Sequence, residues 1–489
     1  MAVTSVRRPG VLVVVLSLCG IVVSLMQTLV IPLIPDLPRL LDTTPANASW
    51  VVTATLLAAA VCNPVSGRLG DMYGKRRMIL LSLAMMVAGS AICALTSSLG
   101  LVVFGRVLQG CAVGVIPLGI SIMRDELPPR RLGSAMALMS ATLGVGGAIG
   151  LPLAAFVAQR ADWHALFWLS AAVGVLNLLL VLFLVPESPV RAGGRFDLPG
   201  ALGLTAGLVC LLLAVSKGGD WGWGSPLTVG LFAGAAVILP LWAWAELRIR
   251  APLVDLRTTA RRPVLLTNLS SVCVGFALFA MSLILPQVLQ APPETGYGLG
   301  LSLLETGLCL APSGLVMMIL SPVSARVSRR WGPKTALVGG AAIMALGYAA
   351  SIGLLASAWQ VVLATIVISA GLGLAYSSMP ALIMGSVPTT ETAAANGLNA
   401  LMRAIGTSVS SAVISVVLAQ LTLGPAPSLT GLRVGLALAA GAALAGLLIA
   451  IAIPRPGRGA PSVATGAATD AGTHAHADTD ADRAAAKRV

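Results

Sequence analysis

Residues 63–74 read NPVSGRLGDMYG, and residues 321–332 read SPVSARVSRRWG. The two stretches align without a gap and share Pro, Val, Ser, Arg and Gly at five of their twelve positions. Each stretch follows a long apolar run and contains basic residues. Because self-similarity within a chain indicates a repeated structural unit, this pair predicts a protein built from two similar halves.

The composition places both halves in a lipid bilayer. Hydrophobic residues make up 57% of the 489 residues, charged residues make up 10%, and the mean hydropathy is +0.93. Soluble domains are about 25% charged, so a water-soluble enzyme and a disordered chain are both excluded. An outer-membrane barrel needs aromatic girdles, whereas aromatic residues are only 4% here and the apolar runs are long. The sequence therefore predicts an all-α membrane protein.

Fourteen apolar runs are long enough to cross the hydrocarbon core, which takes about 20 residues. The repeated stretch follows the second and the tenth run, so a six-helix unit recurs after an insertion of two helices. Membrane proteins with two like halves usually bind their substrate between them and expose it alternately. The runs lie near 11–34, 49–67, 78–96, 99–122, 133–157, 165–185, 198–216, 227–245, 264–288, 300–322, 335–354, 359–382, 394–419 and 432–453.

This pattern predicts five regions along the chain. The two six-helix bundles are joined by a two-helix linker insertion with an inner loop, and the last region is rich in Ala, Gly, Thr and Asp, which predicts disorder. The regions are a cytoplasmic N-terminus at 1–10, bundles at 11–190 and 263–454, the insertion at 191–262 and a cytoplasmic tail at 455–489.

The charge distribution predicts the orientation. A net charge of +13 would suit a nucleic-acid partner, but the basic residues lie in short loops between apolar runs, so no such partner is predicted. Loops on the N-terminal side contain 25 Lys and Arg residues and loops on the opposite side contain 4. Both termini are therefore predicted to be cytoplasmic in a multi-pass inner (cytoplasmic) membrane protein. The bias to Arg and Ala suits a GC-rich bacterial genome.

No cofactor, metal site or enzymatic activity is predicted. The seven cysteines all lie in apolar runs without paired spacing, which is typical of core residues. His474 and His476 lie in the polar tail and are interpreted as solvated residues. No Ser/His/Asp, His-Glu-x-x-His or Walker arrangement occurs, so a membrane-embedded enzyme or receptor is a remote alternative.

The stretch GRLGDMYGKRR at residues 67–77 resembles the cytoplasmic loop signature of the major facilitator superfamily. With the six-two-six layout, residues 10–454 resemble the fourteen-helix drug:proton antiporter branch of that family. The resemblance implies a conformational latch, in which the carboxylate pairs with neighbouring basic groups and with the positive end of a helix in the other half. A purely topogenic role of the basic residues stays open. The latch residues would be Gly67, Asp71, Gly74, Lys75, Arg76 and Arg77.

Arg106 and Gln109 in the fourth run also resemble the family, where this arginine is tied to proton coupling. An arginine inside a membrane helix normally faces the bundle or water, although snorkelling to the headgroups is an alternative. Many relatives place an aspartate near it on the first helix, but this chain has Met26 and Gln27 there. Met26, Gln27 and Gln109 are candidate cavity-lining residues.

Without that aspartate, the proton carrier must be sought among other acids. Glu305 is the one acidic residue clearly inside an apolar run, where burial would suit it to carry a proton. It lies only about five residues into the run, so a role in capping the helix is an equal alternative. Asp36 at the outer mouth is the other candidate.

The fifth and thirteenth runs contain the remaining candidate residues. Small residues in the fifth run resemble the antiporter signature of exporters and predict close packing or bending, although Leu151 stands where that signature has Pro. Arg403 in the thirteenth run is predicted either to contact substrate or to join helices through nearby serines. The antiporter-helix residues are Gly144, Gly146, Gly147, Gly150 and Pro152.

These features together predict proton-coupled export of small amphipathic compounds such as drugs, antibiotics or toxic metabolites. The proton gradient would supply the energy, and the partners would be the substrate, protons and the lipid bilayer, with the protein acting as a monomer. Neutral or zwitterionic substrates are favoured over dications, because carboxylates and aromatic residues are few. An uptake symporter or an uncoupled facilitator of the same fold is the alternative.

Overall fold

The computed structural model describes residues 9–30, 33–34, 36–160, 162–193, 195–249, 252–423 and 426–454. The predicted tail at 455–489 and most of the predicted N-terminal region lie outside these residues. The described chain is helical almost throughout, which confirms the predicted all-α class.

Fourteen long helices follow one another along the described chain. A 3₁₀ turn at Ala112–Gly114 interrupts the fourth, and short helices cover Leu37–Leu40, Pro45–Ala48 and Leu256–Thr259. Strands β1 (Thr422–Leu423) and β2 (Ala426–Pro427) pair antiparallel. The long helices are α1 Pro9–Thr28, α2 Trp50–Tyr73, α3 Lys75–Leu95, α4 Leu99–Glu126, α5 Pro129–Arg160, α6 His164–Leu184, α7 Leu198–Trp221, α8 Pro226–Glu246, α9 Arg262–Gln290, α10 Leu303–Trp331, α11 Pro333–Ser351, α12 Ala358–Met384, α13 Thr392–Gln420 and α14 Leu429–Ala452.

Among the described residues, thirteen helices are long and apolar enough to cross a membrane. The exception is α11, a 19-residue helix that begins at Pro333 and has Lys334 in its first turn. The Lys334 ammonium group donates hydrogen bonds to the backbone carbonyls of Ile451 and Ile453, at 2.7 and 2.5 Å, at the end of α14. Fourteen membrane spans thus remain a prediction.

The helices form two bundles with separate hydrophobic cores. Helices α1 to α6 pack together around fully buried side chains such as Leu16, Leu83 and Leu118. Helices α9 to α14 pack around a second core that includes Ile368 and Leu436.

Two helix pairs make most of the contacts between the halves. Helix α2 packs against α13, and α5 packs against α10. At the α5–α10 contact Gly314 faces the backbone carbonyl of Gly144, and a Cβ atom at position 314 would overlap it. Small residues at this crossing bring the two backbones together, as is common between membrane helices.

The inserted hairpin of α7 and α8 lies against the seam between α2 and α13. Leu204 and Leu208 of α7 share one apolar cluster with Ala60 of α2 and with Leu398 and Leu401 of α13. Helix α8 packs mainly on α7 and leaves large apolar side chains on its outer side exposed. A hairpin in this position contacts both halves at once.

The loops that follow α2, α4, α6 and α12 meet on one face of the molecule, where Asp71 and Arg124 contact the start of α13. We call it the basic face, after the Lys and Arg residues of its loops, and it is the face predicted to be cytoplasmic. On the opposite face, the Lys217 ammonium group at the end of α7 donates a 2.8 Å hydrogen bond to the carbonyl of Ala46.

Candidate functional site

Asp71 joins the two halves at the basic face. Its carboxylate accepts hydrogen bonds from the backbone N–H groups of Ala393 at 3.3 Å and Ala394 at 2.9 Å, in the first turn of α13. The Asp71 side chain is completely buried. Free N–H groups at a helix start have no partner within their helix and favour a negative charge. Asp71 thus contacts the start of a helix in the other half, and its role as a conformational latch stays a prediction.

Two glycines let α2 and α13 approach closely beside this contact. A Cβ atom at Gly67 would overlap the backbone carbonyl of Ala393, and one at Gly397 would overlap the carbonyl of Asn63. The chain can therefore bring Asp71 within hydrogen-bond distance of α13 only with residues that lack a side chain here.

Lys75 forms ion pairs with two buried carboxylates of the basic face. Its ammonium group lies 3.6 Å from the Asp71 carboxylate and 2.5 Å from the Asp125 carboxylate, and the side chains of all three residues are buried. Asp125 also accepts a 2.5 Å hydrogen bond from the Ser188 hydroxyl. A buried charge needs such partners, because an unpaired one costs several kcal/mol, roughly 3–5 when one partner is removed.

Arg76 and Arg77 face the loop after α6 and contact no residue of the other half among those described. The Arg76 backbone N–H donates to the Glu187 carboxylate at 3.2 Å, and the Arg77 guanidinium lies 4.0 Å from it. Gly74 adopts a φ of 119°, which favours glycine, and a side chain there would meet Glu187. These three residues therefore shape the α2–α3 turn, and among the neighbouring basic groups it is Lys75, not Arg76 or Arg77, that forms an ion pair with Asp71.

Arg124 makes a second contact between the halves, which the sequence did not predict. The Arg124 guanidinium at the end of α4 donates to the Thr392 hydroxyl at 2.6 Å and to the Val387 carbonyl at 3.4 Å. Arg124 and Asp71 thus hold the same helix start from two helices. No local sequence signal marks Arg124, because its partners lie more than 260 residues away.

A polar cavity of about 290 Å³ lies beside this latch, between α2, α13 and the inner loop after α8. Arg68 and Asp255 contribute its charged lining together with Glu391. Partial burial tends to raise the pKa of Asp255, but hydrogen bonds from the Thr258 hydroxyl and the backbone N–H groups of Thr258 and Arg257 outweigh it and hold this pKa below its ordinary value.

Arg106 is buried inside the first bundle, where 2% of it is exposed. Its guanidinium donates to the Val51 carbonyl at 3.0 Å and to the Gln109 side chain at 2.7 Å. Gln109 in turn donates to the Ser90 hydroxyl at 2.8 Å. Among the described residues no carboxylate forms an ion pair with Arg106. The snorkelling alternative is therefore wrong, and polar uncharged groups stabilise this cation.

The predicted cavity-lining residues differ in exposure. Met26 is 1% exposed and belongs to the apolar core of the first bundle, so it does not line an open cavity. Gln109 is also completely buried and is engaged with Arg106, so the same correction applies. Gln27 is half-buried.

The expectation that Glu305 is buried within the membrane is wrong. Its carboxylate accepts the backbone N–H of Ser302 at 2.8 Å, while the Ser302 hydroxyl accepts the backbone N–H of Glu305 at 3.3 Å. This is a capping box, and Glu305 is exposed at the start of α10. Asp36 is also exposed and lies 3.5 Å from Arg39.

The small residues of α5 have different neighbours. Gly144 and Pro152 face Met317 and Gly307 of α10, whereas Gly146 and Gly150 lie against Ser24 and Thr28 of α1. Gly147 has no neighbour within 4 Å of where a Cβ would lie, so its predicted packing role is wrong. Helix α5 thus packs against α1 of its own bundle and against α10 of the other bundle.

Arg403 lies inside the second bundle. Its guanidinium donates to the Asn399 side chain and lies 5.0 Å from the ring centroid of Tyr376. Asn399 donates to Asn268 at 2.9 Å and Ser271 at 2.6 Å on α9. Arg403 therefore joins helices through Asn399 and Tyr376 rather than through the serines that follow it in sequence.

Comparison with known proteins relates this architecture to one family. Residues 16–411 match the sequence profile of the Major Facilitator Superfamily. The chain is 27% identical over 417 residues to the tetracenomycin C resistance and export protein of Streptomyces glaucescens, which covers 84% of this chain and 76% of that protein. It is 27% identical over 418 residues to the multidrug resistance protein Stp of Mycobacterium tuberculosis, with the same coverage of 84% and 76%.

Two solved structures share the fold. The human organic anion transporter MFSD10 (TETRAN) superposes with a TM-score of 0.66 at 18% identity, covering 90% of this chain and 99% of that one. The proton:xylose symporter XylE superposes with a TM-score of 0.62 at 14% identity, covering 91% and 96%. At such identities the likeness concerns the fold alone.

Proposed function

The chain belongs to the major facilitator superfamily, and we propose that it exports small amphipathic compounds from bacteria in exchange for protons, by alternating access across the cytoplasmic membrane. Export is supported by the names of its relatives, which describe resistance and export. The small residues of α5, which lie against both α1 and α10, support it further.

The observation that carries the proposal is the closure of the basic face by Asp71. A few polar contacts at the start of α13 hold the halves together there, and such contacts exchange readily for water when the face opens. Opening would separate α2 from α13, free the N–H groups of Ala393 and Ala394, and give a cytoplasmic substrate access to the space between the bundles.

The charges within the bilayer favour neutral or anionic amphipathic substrates. Among the described charged residues, Arg106 and Arg403 lie farthest from the ends of their helices, and both are cations. The described carboxylates of Asp71, Asp125, Glu246 and Glu305 lie at helix ends. A dication entering between the bundles would be repelled by these positive charges, which no described carboxylate at the same depth compensates.

Proton exchange at the opposite face is assigned to Asp36. Its carboxylate side chain is 59% exposed and lies 3.5 Å from Arg39, so it is accessible from the outer medium. Glu305, by contrast, is occupied in its helix cap, and Arg106 has hydrogen-bond acceptors but no acid partner among the described residues.

A resistance panel tests the proposal. Overexpression in a drug-sensitive bacterium should raise the inhibitory concentrations of anionic and neutral amphipathic toxicants several-fold and leave those of dications unchanged. The same panel with Asp71→Asn, expressed at an equal membrane level, should show little protection. Resistance confined to dications would contradict the proposed substrate class, and no resistance to any compound would contradict export.

A further inference from the structure

The hairpin of α7 and α8 contains two buried carboxylates with unsatisfied oxygens. Asp197 begins α7 as its N-cap, and its Oδ1 accepts the backbone N–H of Gly200 at 2.8 Å. The other oxygen, Oδ2, is buried without a hydrogen-bond partner. Both carboxylate oxygens of Glu246, the last residue of α8, are also buried without a hydrogen bond of normal geometry, although three N–H groups lie close to them. Asp197 is 8% exposed and Glu246 is 2% exposed.

These carboxylates lie next to each other. A Cβ atom on Gly200 would overlap both Asp197 Oδ2 and Glu246 Oε1, so the two oxygens flank the same point of the backbone. The indole N–H of Trp242, one turn before Glu246, and the backbone N–H groups of Leu253 and Val254 interact with the Glu246 carboxylate without normal hydrogen-bond geometry. A groove of about 290 Å³ between α7 and α8 includes Glu246, Trp242 and Gly200 in its lining.

No cation balances this pair among the described residues. Arg248 stacks on the ring of Trp244 at 3.8 Å, and Arg257 donates to the carbonyl of Leu247 at 2.9 Å. Two neighbouring buried carboxylates without a cation disfavour the doubly ionised state, because each charge is poorly solvated and repels the other. One shared proton removes the second charge and supplies a donor for an unsatisfied oxygen.

The pair is connected to the seam between the two halves. The inner loop after α8 places Leu253 and Val254 in the same apolar cluster as Leu204 of α7 and Leu398 of α13. Leu253 and Val254 also line the polar cavity beside Asp71. When α13 moves away from α2, this loop must lose part of its packing, and water can reach Glu246.

We propose that Asp197 and Glu246 form a proton-binding site, separate from the transport pathway, that is protonated while the basic face is closed and releases its proton to the cytoplasm when that face opens. The inference rests on the alternating access of the proposed function but not on the direction of transport. The closed state holds one more proton than the open state. Acidifying the cytoplasm therefore stabilises closure, and raising the pH favours opening.

Infrared difference spectroscopy tests whether the proton is present. In purified protein reconstituted into liposomes, a step from acidic to alkaline pH should bleach a protonated carboxyl band that Glu246→Gln lacks. Asp197→Asn, which retains an N-cap acceptor, should also remove or shift the band. Glu294→Gln, at an exposed carboxylate of the opposite face, serves as the matched control and should leave it unchanged.

A distance measurement tests the link to closure. Nitroxide labels on Tyr73 and Thr389, both exposed on the basic face, would report its opening in a variant whose seven native cysteines are replaced. The long-distance population should grow as pH rises in the parent. In Glu246→Gln it should stay small at every pH, because a neutral amide imitates the protonated acid.

Three outcomes would overturn the proposal. The carboxyl band could be unaffected by Glu246→Gln, the parent and this variant could open with the same pH profile, or opening could follow added sodium or magnesium at constant pH, which would mean that a cation occupies the site. None of these results depends on substrate export, so failure here is distinguishable from failure of the proposed function.

Discussion

Replacing Asp71 by Asn should weaken closure of the basic face without unfolding the protein. Asparagine keeps the size of the side chain and one acceptor oxygen, but it loses the negative charge that faces two N–H groups of α13 at 2.9 and 3.3 Å. Hydrogen bonds to a charged group contribute about 1.5–3 kcal/mol, against about 1 kcal/mol for neutral ones. Lys75 keeps Asp125 as its partner, so no unpaired buried charge results.

The expected loss is therefore roughly 1–3 kcal/mol of closed-state free energy, which corresponds to a shift of about 5- to 150-fold toward the open state. The labels at positions 73 and 389 measure this shift directly as a larger long-distance population. Glu126→Gln, which removes a carboxylate from the end of α4 at the basic face, is the control. Equal distance distributions for Asp71→Asn and its parent would refute the latch.

Three further variants follow from the packing and the acids of the opposite face. Gly146→Leu should lower the melting temperature in detergent, because overpacking against Ser24 of α1 typically costs about 1–3 kcal/mol. Gly147→Leu, which has open space around it, should melt at the same temperature as the parent. Equal decreases in melting temperature for the two variants would contradict the packing of α5. Glu305→Gln should retain efflux and change stability by less than about 0.5 kcal/mol, since Gln also completes a capping box, and loss of uphill efflux would restore Glu305 as a proton carrier. Asp36→Asn should retain substrate binding but lose the dependence of efflux on the outer pH, and an unchanged pH dependence would exclude Asp36.

The helices were largely predictable from the sequence. A membrane helix needs about 20 apolar residues, and this requirement leaves a strong signal in each run. The ends were less certain: the first run was predicted to continue to residue 34, whereas α1 ends at Thr28. The short helix Leu256–Thr259 left no such signal, since a single turn has no apolar period.

The candidate site was predictable only in part. The position of Asp71 followed from its motif, but Arg124 and Thr392 meet only because two distant helices cross. For Glu305 the sequence did contain a signal for capping, because Ser302 stands three residues before it, as a capping box requires. Membrane burial and helix capping both suit an acid near a helix start, and only the hydrogen bonds distinguish them. The environment of Glu246 depends on the fold of the hairpin, which no spacing in the sequence reveals.

Substrate flux in everted membrane vesicles tests the central claim most directly. The probe is the compound against which overexpression gives the strongest resistance, and the vesicles are acidified inside by respiration. The account predicts that vesicles containing the parent protein accumulate the probe, that a protonophore abolishes the accumulation, and that Asp71→Asn vesicles show much less. If the vesicles accumulate none while intact cells take the probe up faster than control cells, the protein is an uptake symporter, and the account of export is contradicted.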